Sequence, residues 1–198
     1  MTPPLTRRLL IATALSALAT TGHARSQRYE LVAEGSRVAF IFTSNGARQS
    51  GTVPVQKADI LVDRRNLSNS TAQVTADVRR VRSGLVFITQ AIKSPELLDA
   101  ANHPLVSFTS TRIKLGAEGR ISDGAQIEGQ LTLRGVTRPI VLDAVLSRPA
   151  GTAPDDLSVL FIQLNGELSR SAYGASGYAS LADDTVLLDI RAEIRARA

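Results

Sequence analysis

The amino-acid sequence predicts an all-β protein, an antiparallel eight-stranded β-barrel with one short helical insertion. Eight or nine segments show the alternation of apolar and polar residues that is typical of strands buried on one face. Only one stretch between them has helical spacing, whereas a parallel sheet would need a crossover helix between most strands. Closing the sheet removes the unpaired edges that many long strands would leave. A barrel is therefore favoured, and a two-sheet sandwich is the alternative.

The hairpin predicted at residues 129–146 is the clearest element. Leu131 and Leu133 lie on one side of its first strand, and the period-two apolar pattern resumes after a tight turn at Gly135. Pro139 has no amide hydrogen, so it is expected at a strand start or edge. The pattern predicts a half-buried antiparallel pair, and hence a sheet with one dry face.

Further strands are expected on both sides of this hairpin. The first two are separated by a turn at Gly35-Ser36, and Asn45-Gly46 marks a hairpin turn after them. Pro54 indicates an edge or a bulge near the start of the next strand. The predicted strands outside residues 129–146 cover residues 29–32, 37–43, 53–62, 72–78, 106–115, 157–168 and 185–195.

The alternation stops between residues 84 and 101. Apolar residues recur there at spacings closer to those of a helix. Ser94-Pro95-Glu96 resembles an N-cap followed by a first-turn proline and an acidic residue. One short irregular helix, or two, is therefore predicted between the strands.

The N-terminal 24 residues have the features of a cleavable export signal. Arg7 and Arg8 precede an apolar run at residues 9–18, and Gly22-His23-Ala24 ends in small residues near a cleavage point. Ten apolar residues are too few to span a bilayer comfortably, so a retained membrane anchor is the weaker alternative. The arginine pair also resembles a twin-arginine signal. We expect a periplasmic protein whose residues 25–198 form a single domain.

Composition limits the classes of function. Removal of the leader leaves 21 basic and 18 acidic residues, a net charge of +3, and the chain has no Trp, three Tyr and five Phe. Base stacking on a basic patch is therefore poorly supported, and nucleic acid is not expected as a partner. The absence of cysteine excludes disulfides and lipoprotein anchoring, so stability must come from the core.

No set of residues in the sequence resembles a catalytic centre. His103 is the one histidine after the leader, and without cysteine the chain cannot build a cluster of His or Cys metal ligands. Ser176 lacks the second glycine of a nucleophile elbow, because Tyr178 stands in that place. The aspartate pairs at 155–156 and 183–184 lie beside turns, where carboxylates are solvated. Neither an enzyme activity nor a cofactor or metal is expected, and a hydrolase that uses Ser176 or His103 is the weakest alternative.

The apolar inner face of the closed sheet is the remaining candidate site. A ligand held by its hydrocarbon chain needs few polar groups, because each buried methylene contributes about 0.8 kcal/mol. The same side chains would also fill a dry core, and the pattern alone favours that interpretation. The residues therefore leave two functions open, a lipid carrier and a stress-related structural or adaptor domain with a surface protein partner.

Several motifs, in this order along the chain, resemble the YceI-like polyisoprenoid-binding family over residues 29–194. The most specific is the GQLTLRGVTRP run at residues 129–139, and RSAYG at residues 170–174 also fits. The other matching stretches are Tyr29-Glu30-Leu31, Ser36-Arg37-Val38-Ala39-Phe40, Lys93-Ser94-Pro95-Glu96-Leu97-Leu98-Asp99, His103-Pro104, Phe108-Thr109-Ser110-Thr111 and the closing strand. The family is similar in architecture to lipocalins. The resemblance implies an exported barrel that holds a long isoprenoid or related lipid chain and catalyses no reaction.

With this resemblance, lipid binding becomes the expected function. The ligand is a polyisoprenoid, an isoprenoid quinone or a fatty-acyl chain, bound as cargo and not as a cofactor. The expected partners are this apolar lipid, a membrane contacted transiently during transfer, and a second copy of the chain in a homodimer. The ligand-binding residues assigned from alternation are Phe40, Phe42, Val74, Val78, Phe87, Phe108, Leu131, Leu133 and Ile190.

Overall fold

The computed structural model describes residues 26–116, 123–153 and 155–197, so the predicted leader at 1–24 lies outside the described residues. Within these ranges the chain forms ten strands and one α-helix. No helix in these ranges is long and apolar enough to cross a bilayer. The elements are β1 (Ser26–Ser44), β2 (Ala47–Thr52), β3 (Val55–Asp63), β4 (Thr71–Asp77), β5 (Arg82–Ser83), α1 (Val86–Lys93), β6 (Leu105–Leu115), β7 (Ala125–Leu133), β8 (Val136–Ser147), β9 (Val159–Ser169) and β10 (Ala182–Ala196).

Eight strands close into an antiparallel barrel, which confirms the predicted fold. Around the barrel they follow the order β1, β3, β4, β6, β7, β8, β9 and β10, and β10 returns to pair with β1. The short β2 pairs with the second half of β1, on the side where β3 pairs with its first half. Pro54 occupies the break between β2 and β3, where its missing amide hydrogen leaves no ladder bond unmade.

Tight turns close the two hairpins that glycine marked in the sequence. Arg134 and Gly135 connect β7 to β8 with φ angles of 51° and 74°. Asn45 and Gly46 connect β1 to β2 with φ angles of 49° and 72°. Positive φ at both central residues is the turn geometry whose twist matches that of antiparallel strands.

The turn predicted at Gly35-Ser36 is wrong, because β1 is one continuous strand of 19 residues. Its register with β10 shifts between Val32 and Arg37, so the extra residues form a bulge. The Ser36 hydroxyl accepts a hydrogen bond from the Glu193 amide at 3.0 Å. The serine side chain thereby satisfies a ladder donor that the bulge leaves without a backbone partner.

The helix ends where the sequence predicted a helix start. Ser94 is the C-cap of α1, and its amide donates to the Ala91 carbonyl at 3.2 Å. The Ser94 backbone is extended (φ −67°, ψ 162°), as a residue that precedes proline prefers. Pro95 therefore opens a turn in which the Leu97 amide donates to the Ser94 carbonyl at 3.1 Å.

The two ends of the barrel differ in packing. We call the end that carries the loops at 64–70 and 148–158 the base, and the end that carries α1, the following turn and the loop at 170–181 the roof. A buried cluster fills the base and consists of Tyr29, Val62, Leu160 and Ile194. A second buried cluster lies against one wall toward the roof and consists of Leu131, Leu133, Ile140, Leu142 and Tyr173.

Candidate functional site

An apolar cavity of about 310 Å³ lies inside the barrel. All eight barrel strands contribute to its wall, and among the described residues the polar or charged ones in the lining are Ser36, Arg170 and Arg191. Its volume lies at the small end of the range of about 300–1,000 Å³ that is typical of small-molecule sites. The interior is therefore not filled by its own side chains, although the residue pattern alone favoured a dry core.

Eight of the nine residues predicted to bind a ligand line this cavity. Five of them are only partly buried although they point inward, because the space beside them is empty. The alternation along each strand therefore assigned the inner face correctly in these segments. The eight residues are Phe40, Phe42, Val74, Val78, Phe108, Leu131, Leu133 and Ile190.

Phe87 lies elsewhere, and its predicted inward placement is wrong. It is the second residue of α1, its side chain is 70% exposed, and it is absent from the cavity lining. Ile92 is the buried residue of this helix and lines the cavity instead. Alternation does not apply to a helix of two turns, and Phe87 points away from the face that Ile92 buries.

Glycines on the inner face make room for the large side chains around the cavity. A Cβ atom on Gly51 would lie 2.3 Å from the Phe40 ring, and one on Gly129 would lie 2.4 Å from the Phe108 ring. Phe40 also stacks on Phe42, with ring centroids 6.1 Å apart. Gly129 occupies an inward position of a predicted alternating strand, whereas Gly51 lies outside the predicted strands. Strand pairing is needed to show which side chain covers either glycine.

The base of the barrel is sealed below the cavity. Tyr29 is 2% exposed, and its hydroxyl donates to the Leu157 carbonyl at 2.5 Å. Burial raises the pKa of the Tyr29 hydroxyl, which therefore stays neutral. Packed side chains, most of them apolar, therefore close this end of the barrel.

Two chain segments and α1 form the roof, and arginine side chains hold the segments together. Arg134, in the β7–β8 turn, donates from Nη1 to the carbonyls of Leu97 at 3.1 Å and Gly174 at 2.6 Å. The Gly177 amide also donates to the Glu96 carbonyl at 2.9 Å. The turn after α1 and the loop at 170–181 are therefore joined over the cavity.

Arg170 stabilises the loop at 170–181, in which it is the first residue. Its buried guanidinium donates to four backbone carbonyls, at 2.6–2.9 Å, and also lies at the cavity lining. A guanidinium carries five N–H donors, so most of its hydrogen-bonding capacity is used by the loop itself. Arg134 and Arg170 lie within the motifs at residues 129–139 and 170–174, but their role has no sequence signature because their partners are backbone atoms. The acceptors of Arg170 are the carbonyls of Ala175, Gly177, Ala182 and Asp183.

An open cleft of about 710 Å³ lies on the outside of the wall between β8 and β9. These strands pair only from Asp143 to Ser147 of β8, and they separate nearer the roof. Ile140 and Leu168 line both the cleft and the interior cavity. Buried Tyr173 covers the separation from the loop at 170–181. The cleft is open and is lined by polar residues such as Arg138, Asn165 and Glu167, so it does not suit an apolar chain.

The residues considered for catalysis do not form a site in the described ranges. Ser176 is exposed, and no hydrogen bond joins it to His103. The His103 amide donates to the Asp99 carbonyl at 2.8 Å within a turn. No group of three or more His, Asp or Glu side chains in the described part of the chain is placed to hold a metal ion.

Comparison with known proteins places the chain in a family. The model of the YceI-like domain matches residues 29–194. Protein YceI of Salmonella newport is 33% identical over 143 residues, which are 71% of this chain and 72% of that protein.

Solved structures share the barrel. The crystal structure of Burkholderia cenocepacia BcnA has a TM-score of 0.71 at 16% identity and covers 83% of this chain and 99% of that one. A polyisoprenoid binding domain from Saccharophagus degradans, implicated in plant cell wall breakdown, has a TM-score of 0.62 at 16% identity and covers 86% of this chain and 99% of that one. At these identities the structural likeness shows the fold alone.

Proposed function

The chain belongs to the YceI-like domain family, and we propose that its barrel is a binding or carrier protein that sequesters the hydrocarbon chain of a lipid. The observation that carries this proposal is the unfilled cavity, whose lining is apolar apart from Ser36, Arg170 and Arg191. Burial of a hydrocarbon chain against such a lining is favourable without specific polar contacts. A polyisoprenoid, an isoprenoid quinone and a fatty-acyl chain all have the required chemistry.

The packed base and the place of Arg170 support one orientation of the ligand. The base is closed by a buried cluster around Tyr29, whereas the roof carries the Arg170 guanidinium. We therefore place the end of the chain toward the base and the head group toward the roof. A long chain needs more room than about 310 Å³, and α1 is the element to move, since Ile92 is its only buried residue.

A periplasmic location completes the proposal. It rests on the predicted export signal at residues 1–24 and on the expectation that a lipid carrier acts in the aqueous space beside a membrane. The rival function, a filled-core adaptor that binds protein through its surface, loses its premise because the interior holds a cavity.

The proposal is tested by a substitution on the inner face of β4 that fills part of the cavity. Val74 points into the cavity, and its neighbour Gln73 is exposed on the opposite face. We expect Val74→Phe to weaken binding of a short-chain ubiquinone by at least about tenfold, because the added ring occupies space that the ligand needs. Gln73→Phe should bind as the natural protein does. Isothermal titration of delipidated protein measures both affinities.

Two results would contradict the proposal. Either the natural protein fails to bind ubiquinone, polyprenol and fatty acid alike, or Val74→Phe and Gln73→Phe bind with equal affinity. Urea unfolding of each variant serves as the control for a general loss of structure.

A further inference from the structure

Three consecutive large apolar side chains are exposed at the start of α1. Leu85 is 44% exposed, Val86 is 79% exposed and Phe87 is 70% exposed. A single exposed apolar residue is ordinary, but a contiguous group marks a surface that meets something other than water. These residues do not support the fold, because the helix is anchored through Ile92 and through the Thr89 hydroxyl, which accepts from the Ser83 amide at 2.9 Å.

The charge around this group has one sign. Arg48, Arg80 and Arg82 are exposed, and none of them forms an ion pair in the described part of the chain. No acidic residue occurs between residues 78 and 95. The nearby Arg79 is different, because Asp77 neutralises it at 2.9 Å.

Strand register brings these residues to one edge of the roof. β5 runs antiparallel to β2, with Ser83 opposite Gly51, and the Ser83 hydroxyl donates to the Ser50 carbonyl at 2.9 Å. The chain that leaves β5 therefore runs toward the end of β2 that carries Arg48. The start of α1, Arg48 and Arg82 therefore share this edge, and Arg80 precedes Arg82 by two residues in the chain. Asp183 lies beyond β1, on β10.

We propose that this basic-apolar edge, formed by Leu85, Val86, Phe87, Arg48, Arg80 and Arg82, docks on the surface of an anionic lipid bilayer. Apolar side chains that enter the interface, beside arginines that meet anionic head groups, are the two attractions that hold peripheral proteins on such membranes. The other face of α1 contributes Ile92 to the cavity. Docking thus places the roof of the cavity on the bilayer, and this last step rests on the proposed carrier function.

Vesicle flotation measures the docking directly. The protein is mixed with vesicles of phosphatidylglycerol and phosphatidylethanolamine, or of phosphatidylcholine alone. We expect binding to the anionic vesicles, a loss of at least about tenfold for Val86→Ser with Phe87→Ser, and a loss of about fivefold per charge for Arg80→Gln with Arg82→Gln. Raising the salt to about 0.5 M should weaken the binding of the natural protein because it screens the arginines.

A matched control lies on the outer face of β8. Val141 and Val145 are 48% and 50% exposed, so Val141→Ser with Val145→Ser removes two exposed apolar side chains elsewhere. This control should float as the natural protein does. All variants have the same N-terminus, so residues 1–25 contribute equally to every measurement.

Three results would overturn the docking proposal. The natural protein does not float, or the β8 control loses as much binding as the α1 variant, or sedimentation shows that Val86 and Phe87 form a dimer interface instead. Uptake of a short-chain ubiquinone from solution separates the two proposals. A protein that takes up the quinone but ignores vesicles refutes docking alone, and one that floats but binds no lipid chain refutes the carrier function alone.

Discussion

Gly51, Gly129 and Gly166 lie on the inner face of the barrel, and a larger side chain from a neighbouring strand covers each of them. Phe40 covers the first, Phe108 the second, and Leu142 the third. The shape of the cavity wall thus depends on glycine at these positions, because a Cβ atom would collide with the covering side chain. The predicted alternating strands include Gly129 and Gly166 but not Gly51. Alternation could not predict that glycine was required, because the requirement comes from a side chain on the neighbouring strand.

Gly129→Ala tests this dependence. The new Cβ would lie 2.4 Å from the Phe108 ring and 2.7 Å from the Thr109 carbonyl oxygen, so the ring must move into the cavity. We expect a loss of about 1–3 kcal/mol in the free energy of unfolding and weaker binding of the ubiquinone. Gly84→Ala is the control, since a Cβ there meets no atom within 4 Å. Equal stability and equal affinity of the two variants would refute this account of Gly129.

The carboxyl group of Asp63 makes the stability of the fold depend on pH. It is 3% exposed, and its Oδ1 accepts from the amides of Arg65 at 2.9 Å and Asn66 at 3.0 Å. These two hydrogen bonds hold the pKa of Asp63 below its usual value, and the bond from the Asn66 amide has the larger effect. A lowered pKa in the folded state contributes stability that is complete above the ordinary value of about 3.9 and is lost as pH falls through the folded value.

Asp63→Asn keeps the oxygen that accepts both amides but removes the titration. The variant should be less stable than the natural protein at pH 7, and the difference should shrink as pH falls from about 5 to about 2. Urea unfolding across that range measures it. A difference that stays constant with pH would show that Asp63 does not contribute through its charge.

Among the elements, the strands were predictable and the roof was not. Strand positions follow from a local pattern, and β8 came close to its predicted bounds because alternation and the glycine turn agree there, whereas β7 begins at Ala125, four residues before the predicted start. The start predicted for a helix at Ser94 was wrong, because Ser-Pro-Glu fits both the beginning of a helix and the turn after one. The roof is held by Arg134 and Arg170, whose partners are carbonyls that carry no sequence signature.

Arg170→Met tests the role of this residue in the roof. It removes donors from four backbone carbonyls while keeping a similar side-chain volume, so those acceptors lose their partners. We expect a loss of about 3 kcal/mol or more in the free energy of unfolding and faster proteolysis within residues 171–181. Arg170→Lys, which keeps the charge but has fewer donors, should recover part of the loss. If Arg170→Met matches the natural protein in both measurements, the roof is held by other contacts.

For the whole molecule, closure of the sheet and the presence of a cavity are separate outcomes. Closure was predictable, because the strands are many and long and no crossover helices occur between them. Whether the inside is filled depends on how Phe40, Phe42, Phe108 and their neighbours pack around the ring of strands, and each of these residues suits a dry core equally well. The resemblance to the family predicted the cavity where the pattern of residues did not.

The central claim is that the barrel carries an apolar chain, and one measurement tests it most directly. Native mass spectrometry of the protein purified from a bacterial periplasm, followed by organic extraction, detects and identifies any bound small molecule. We predict a stoichiometric apolar adduct that organic solvent releases. A bare protein that also takes up neither quinone nor polyprenyl analogues would contradict the claim.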